Sequence, residues 1–442
     1  MSVPRAPKPT VGFVDQYCAY SRDIFPEVRS FEQFTALHIG MITDLPRKTL
    51  PAIARAVGVE DAQALHHFLT ISPWEIAMFR QKRLELLKAV LKERAFILCI
   101  EETGDKKKGK TTAYVARQYI GKLGKIENGI VSVNAYGVID EIPFPLVFAV
   151  FKPQKRLKKE EQYKTKPQIA IALIQALKQQ GFHFEVVLAD SLYGESGEFI
   201  AALQGLGLRF VVAIRENHGG LMVPGQRLRY TTWSTFARVF SKGDTEPRYI
   251  REIIFGHRRA IRYYHITTDV EAQPPESTWL IMTNLPGTIK KTVGNTYGLR
   301  TWIEYGFKQS KNELGWADFR LTDYNDIEKW WEMVWSAYLM VSLQSPTITD
   351  IDVASRPDRL TIEQEEHVTK PRTKQAMFHK HKWWDHGTGW KNLLNNLRLI
   401  IQPYVYYCLL DGWLELFNMP FLKGGFTRLI TLMHDFTGFV PV

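Results

Sequence analysis

The chain has 442 residues, 45% apolar and 12% aromatic, enough for about two or three structural units and too apolar for a disordered or collagen-like chain. Its 57 Lys and Arg against 46 Asp and Glu give a net charge of +11, which points to a polyanionic partner: nucleic acid or an acidic membrane surface. No apolar window reaches the roughly 18 residues needed to span a bilayer, the opening MSVPRAPKPT lacks the apolar core of a signal peptide, and Cys18, Cys99 and Cys408 are too scattered for a disulfide or zinc framework; a soluble, cytoplasmic protein is expected.

Residues 1–92 read as helical. Thr43 or Asp44 is a candidate cap, Gly58 a break, and Ser72 with Pro73 a second start, while apolar residues recur three and four apart at Leu65, Phe68 and Leu69 and at Ile76, Phe79, Leu84 and Leu87. Short helices carrying Arg47, Lys48, Arg55, Lys82 and Arg83 suit a DNA-end-binding region of helix-turn-helix type, or a helical cap with a solvated basic face.

From residue 93 to 217 the period becomes that of strands. Phe96–Ile100, Ile130–Val138 and Phe144–Phe151 form an expected antiparallel meander. A helix follows, begun by Thr165 or Lys166, with Pro167 in its first turn and Gly181 at its end. The strand Phe184–Leu188 then delivers Asp190, and a last strand covers Phe210–Ile214. Three antiparallel strands, a helix and two helix-flanked strands is the order of a ribonuclease-H-like α/β core, with acids where the first and fourth strands lie side by side. The first strand runs directly into IEETGDKKKGK, two glutamates followed by Asp105 and four lysines: Lys106, Lys107, Lys108 and Lys110.

Residues 218–290 read as a β-rich insertion whose arginines, among them Arg227, Arg229, Arg248, Arg251, Arg258, Arg259 and Arg262, suit phosphate contacts or the charged outer face of a sheet. The core resumes over 291–344. There Tyr297, Arg300, Glu304 and Lys311 would share one face of a single helix. Residues 345–380 are a polar linker or arm, and 381–442 a helical C-terminal region, a dimerisation or end-binding module or a part of the core. His379, His381, His386 and Asp385 suggest packing or surface positions more than zinc ligation.

The Tyr-x2-Arg-x3-Glu-x6-Lys spacing at 297–311, LADSLYG around Asp190 and ARQYIGKLGKIENG at 116–129 together resemble the DDE transposases of bacterial insertion sequences, in the branch with that four-residue signature. The resemblance implies a ribonuclease-H-like core holding two Mg²⁺ ions, replaceable by Mn²⁺, a β-strand insertion before the glutamate-bearing helix, and cut-and-paste movement of DNA ends. The partners implied are double-stranded DNA, as terminal inverted repeats and as target, and a second copy of the chain on that DNA, in the nucleoid of a prokaryotic cytoplasm. Mg²⁺ requires hard oxygen ligands that converge from distant segments. Asp190 and Glu304 are two of them by this likeness. The family's third is an aspartate within an acid pair on the first strand, where this chain has Glu101 and Glu102. Neighbours on a strand face opposite ways, so one of the two enters the site, Glu101 in preference. Glutamate there also leaves a second reading, a transposase-derived DNA-binding protein with weakened catalysis. Tyr297, Arg300 and Lys311 would hold phosphates at the cleavage point, with Lys106, Lys107, Lys108, Arg47 and Lys48 as further DNA contacts.

Overall fold

A computed structural model describes residues 5–219, 224–240, 244–349 and 376–436. The chain divides into two units, a helical one from Met1–Lys92 and Phe307–Val442 and a sheet-based one from Glu93–Gly306.

In the helical unit, α1 (Gly12–Ala19), α2 (Val28–Ile42), α3 (Leu50–Ala56), α4 (Ala62–Thr70) and α5 (Ile76–Leu91) come first. Thr43 closes α2 and does not open a helix; the cap of α3 is Thr49, whose hydroxyl accepts from the Ala52 amide, and Asp61 caps α4 the same way. Gly58, at φ 69°, makes the turn between α3 and α4. Ser72 does not cap α5: its hydroxyl is buried against that of Ser30 at 2.9 Å, and α5 starts four residues later.

The sheet unit begins with β1 (Phe96–Lys106), β2 (Ala116–Ile120), β3 (Lys125–Ile139) and β4 (Ile142–Val150). The helix α6 (Lys166–Gln179) carries the full capping box of Thr165 and Gln168. After it come β5 (Phe184–Ala189), α7 (Ser191–Gly194), α8 (Gly197–Gly205) and β6 (Phe210–Ala213). In space β4, β3, β1, β5 and β6 lie side by side, the first three antiparallel and β1, β5 and β6 parallel. This is the ribonuclease-H-like core.

Residues 218–290 supply β7 (Leu228–Tyr230), β8 (Ser234–Val239), β9 (Thr245–Phe255), β10 (Arg262–Thr267) and β11 (Trp279–Thr283). They continue the core sheet, because β11 pairs antiparallel with β6. β9 and β10 pair antiparallel, and the chain turns out of β9 at Gly256 with φ 71°. Two helices follow, α9 (Val293–Gly298) and α10 (Thr301–Asn312). The signature segment is therefore not one helix. Amides of Leu299, Arg300, Trp302 and Ile303 each bond three residues back, so the joint is wound as a tighter 3₁₀ turn.

The helical unit closes with α11 (Tyr324–Ser342), a buried helix whose Trp331 stacks on Trp316 at 4.4 Å, and with the helices Trp390–Leu416 and Pro420–Met433. The last two expose large apolar side chains: Trp413 is 58% exposed, Phe417 66% and Phe421 95%, with the Trp413 and Phe417 rings stacked. Most of the expected linker, 350–375, lies outside the described residues. None of the described helices is long and apolar enough to cross a membrane.

Candidate active site

β1 does not stop at Ile100. Its parallel pairing with β5 ends at Ile100 and Ala189, while its antiparallel pairing with β3 carries on to Lys106. Glu101 and Glu102 thus sit in mid-strand at the point where β1 loses one neighbour. Asp190, the next residue after β5, lies beside that opening and caps α7, its Oδ1 accepting from the Leu192 amide at 2.9 Å. Gly194 is required here: a Cβ on it would stand 1.8 Å from the Ala213 carbonyl oxygen of β6.

The faces of β1 decide what each glutamate meets. Directly opposed residues in an antiparallel pair share a face, so Glu101, opposite Asn134, shares one with Cys99 and Tyr136. On that face α10 comes down at Gly306, where a Cβ would stand 2.9 Å from the Tyr136 ring. The result brings Arg300 against Glu101 as an ion pair, with the same guanidinium 2.6 Å from Glu304 Oε1. Glu102 faces the other way and is paired with Lys166, the first residue of α6.

Carboxylates outnumber cations in this cluster. Burial pushes the Glu101 carboxyl up to about 8, Asp190 and Glu304 adding to the rise against the pull of Arg300. Asp190 is raised by burial as well, opposed by Arg300, and Glu102 by burial against Lys166. Tyr297 is buried, edge-on to Trp279 at 5.3 Å and beneath Arg300, and burial pushes its hydroxyl up to about 12.

The residues expected to touch DNA separate into groups. Lys106, 55% exposed, pairs with Glu127 at 3.0 Å at the end of β1; Lys107 is half-buried and Lys108 exposed in the loop beyond. Lys311 is half-buried on α10. Arg47 is 75% exposed beside Asp318. Lys48 is a correction: it is 2% exposed, its ammonium donates to the Thr43 carbonyl, and burial lowers it to about 7, so it does not reach a phosphate. The insertion arginines divide: Arg248 lies on the Trp279 ring and Arg251 between Tyr230 and Trp233, whereas Arg227, Arg229, Arg258 and Arg259 are exposed. His379 stacks on Trp384, and Asp385 is bonded to Gly387 and Asn392.

Two participants escape sequence reasoning. Lys166 was visible only as a helix start, and Tyr193 only as part of LADSLYG. The Tyr193 hydroxyl is fully buried beside Glu101, Glu102 and Asp190, with no hydrogen-bond partner among the described residues.

Comparison with known proteins places the chain in a family. Residues 23–228 match the model of the DDE superfamily endonucleases and residues 162–340 that of the transposase DDE domain. A probable transposase for insertion sequence element IS701 from Microchaete diplosiphon is 57% identical over 329 residues, 74% of this chain and 87% of the relative. The chain belongs to the DDE transposases of insertion sequences.

That family generally uses divalent metal ions. Among the described residues no three His, Cys, Asp or Glu side chains stand together as a metal-binding group. Arg300 meanwhile holds both Glu101 and Glu304. The donor set nevertheless fits such an ion: the oxygens are hard, their charge exceeds that of Arg300 and Lys166, and the Tyr193 hydroxyl, within electrostatic reach of Glu101, Glu102 and Asp190, is buried without a hydrogen-bond partner among the described residues.

Proposed function

We propose that this transposase cuts and joins the ends of its insertion sequence by metal-dependent phosphodiester hydrolysis and strand transfer, with Glu101, Asp190 and Glu304 as ligands of two Mg²⁺ ions, or Mn²⁺ in their place. The observation that carries it is Arg300, which pairs with the buried Glu101 of β1 and with the half-exposed Glu304 of α10 and lies within electrostatic reach of Asp190 at the end of β5. When bound, such ions supply an activated oxygen nucleophile and a stabilised leaving oxyanion. Asp190 is held in one orientation by the Leu192 amide. Glu102 and Lys166 neutralise each other on the opposite face of β1, which leaves Glu101 as the ligand. With Glu101 and Glu304 holding the ions, Arg300 would be free to meet a DNA phosphate, a bidentate contact the planar guanidinium suits. Tyr297 supports Arg300 from below, and Lys106, Lys107, Lys108, Lys311 and Arg47 add charge along the duplex.

The same reading makes the protein a homodimer on paired DNA ends. The apolar surface of the helices Trp390–Leu416 and Pro420–Met433 is the face that supports this. It places the protein on nucleoid DNA in the cytoplasm.

The test is metal-dependent nicking of a labelled duplex carrying the inverted repeat that flanks the gene, at matched DNA occupancy. Asp190→Ala and Glu304→Ala abolish nicking and leave binding intact. Glutamate carries its carboxylate one methylene further than aspartate, and a misplacement near 1 Å is worth roughly a hundredfold in rate, so Glu101→Asp raises nicking by up to about that factor. Equal nicking by the unaltered chain and Asp190→Ala excludes the assignment. A loss in Glu101→Asp means the site has been reshaped around glutamate.

A further inference from the structure

Past Lys106 the sheet narrows to two strands. Ala116–Ile120 of β2 pairs with Lys125–Gly129 of β3, and the turn between them closes at Gly124, whose φ of 62° needs a glycine. This ribbon extends β3, the pairing partner of the strand that carries Glu101 and Glu102. Five residues at about 3.3 Å each separate Glu101 from its root at Lys106, roughly 17 Å, or about five base pairs of duplex at 3.4 Å.

The ribbon's composition is unlike that of an ordinary sheet edge. Tyr119 and Ile126 are opposed cross-strand neighbours and are 53% and 57% exposed, an apolar pair turned to solvent. Arg117 is exposed on the same face, two residues from Tyr119, and Lys125 is 63% exposed next to Ile126. Glu127 is the ribbon's one acid in the sequence, and it already meets Lys106 at 3.0 Å and Lys125 at 3.6 Å. The neighbouring lysine loop is fastened to the ribbon: the Asn128 amide donates to the carbonyls of Lys107 and Gly109 at 2.7 and 2.8 Å, and Arg156 donates to that of Lys110 at 3.0 Å.

We propose that the β2–β3 ribbon is a DNA-reading element, seated in the major groove of the duplex from about five base pairs from the scissile phosphate at its root to about eight at Tyr119. It rests on the transposase reading above. A two-stranded ribbon fits a groove about 12 Å wide. Tyr119 and Ile126 lie against base edges and thymine methyl groups, and Arg117 and Lys125 bind the phosphates on either side. The anchored lysines at 107, 108 and 110 extend the same positive surface back toward the carboxylates.

The experiment uses the full chain and a fluorescein-labelled duplex of mixed sequence, about 30 base pairs long to span the three-helical-turn scale of such a contact. Affinity is measured against salt between about 50 and 200 mM. Arg117→Ala with Lys125→Ala is expected to lower the slope of log affinity against log salt by about 1.8, at about 0.9 for each phosphate contact. Tyr119→Ala with Ile126→Ala is expected to leave that slope unchanged and weaken binding about tenfold, the 1.4 kcal/mol step. Lys125→Gln alone, a change of one exposed side chain, gives about half the slope effect and guards against a misfolded double variant. Tyr119 lies opposite Ile126, eight residues along β3 from the partner of Glu101, so on the inverted-repeat duplex a photo-crosslinker at position 119 should label bases about eight pairs from the nick. A salt-dependent unaltered chain with ribbon variants that bind identically overturns the ribbon and leaves the transposase reading standing. Ribbon variants that change only the sedimentation of the free chain also overturn it, and identify the β2 edge as a contact between copies. A flat salt response of the unaltered chain overturns both.

Discussion

In the helical unit, Glu332 has no exposed side-chain surface and meets two arginines, Arg83 at 2.6 Å and Arg80 at 3.0 Å. In the sheet unit Glu101 is almost as buried, yet it shares one arginine with Glu304 while Asp190 and Glu102 stand alongside. The ingredients are the same and the stoichiometry is reversed. Around Glu332, burial pushes the carboxyl up and the two guanidinium groups outweigh it, holding the group below its ordinary range. Around Glu101, burial and like charge outweigh Arg300, and the carboxyl stays well above it. A buried acid with surplus cations is a finished structural pair; a buried cluster with surplus acid is a place for a further cation.

The comparison breaks most readily at Glu332. Glu332→Ala leaves Arg83, 2% exposed, without its carboxylate, and removing one partner of such a pair destabilises by about 3–5 kcal/mol. Urea denaturation followed by tryptophan fluorescence measures it, and a loss below about 1 kcal/mol, the scale of a surface pair, would remove the structural role given to the cluster.

A second effect is nearly as large and depends on pH. His38 of the helical unit is fully buried, its Nδ1–H donating to the Phe34 carbonyl at 2.9 Å and its Nε2 accepting from the Ser336 hydroxyl at 2.8 Å. Burial lowers it to about 4. The folded state therefore demands the neutral ring, and its stabilisation is complete above the unfolded value near 6.5 and is lost as pH falls toward about 4. The full span corresponds to about 3 kcal/mol. The urea midpoint should drop between pH 7 and 4.5, and should drop less in His38→Gln; equal acid sensitivity in both chains would assign the effect elsewhere.

The smallest effect has the opposite sign. Asp190→Asn keeps a cap for α7 but removes one of the surplus charges, so without divalent metal it should stabilise the sheet unit by up to about 1 kcal/mol. Thermal unfolding in EDTA and in Mg²⁺ reads both sides of this: the variant gains in EDTA and loses the protection that Mg²⁺ gives the unaltered chain. A variant destabilised in EDTA would mean that Asp190 is structural in the sense Glu332 is.

Much of this was legible in the sequence wherever the cause is local. Alternating apolar runs announced the core strands, Thr165 and Pro167 the start of α6, and the position of Asp190 directly after a short apolar strand its place at a strand end. The three- and four-residue spacing of Tyr297, Arg300 and Glu304 placed the last two close enough for one ion pair, although it gave no hint of the 3₁₀ joint between α9 and α10, whose flanking residues Tyr297 and Gly306 meet Trp279 and Tyr136.

Lys48 shows the limit from the other side. Next to the exposed Arg47 it reads as the same basic residue, and only the fold buries one and not the other. The sequence by itself determined the order of strands and helices, the excess of positive charge and the presence of two adjacent acids, because propensity, capping and period act over a few residues. The tertiary structure decided that β1 outlives its pairing with β5, that Glu101 turns to Arg300 while Glu102 turns to Lys166, and that the insertion strands join the core sheet. Each of these depends on which strand lies alongside and which helix covers a face, contacts between residues far apart in the chain that local pattern does not encode.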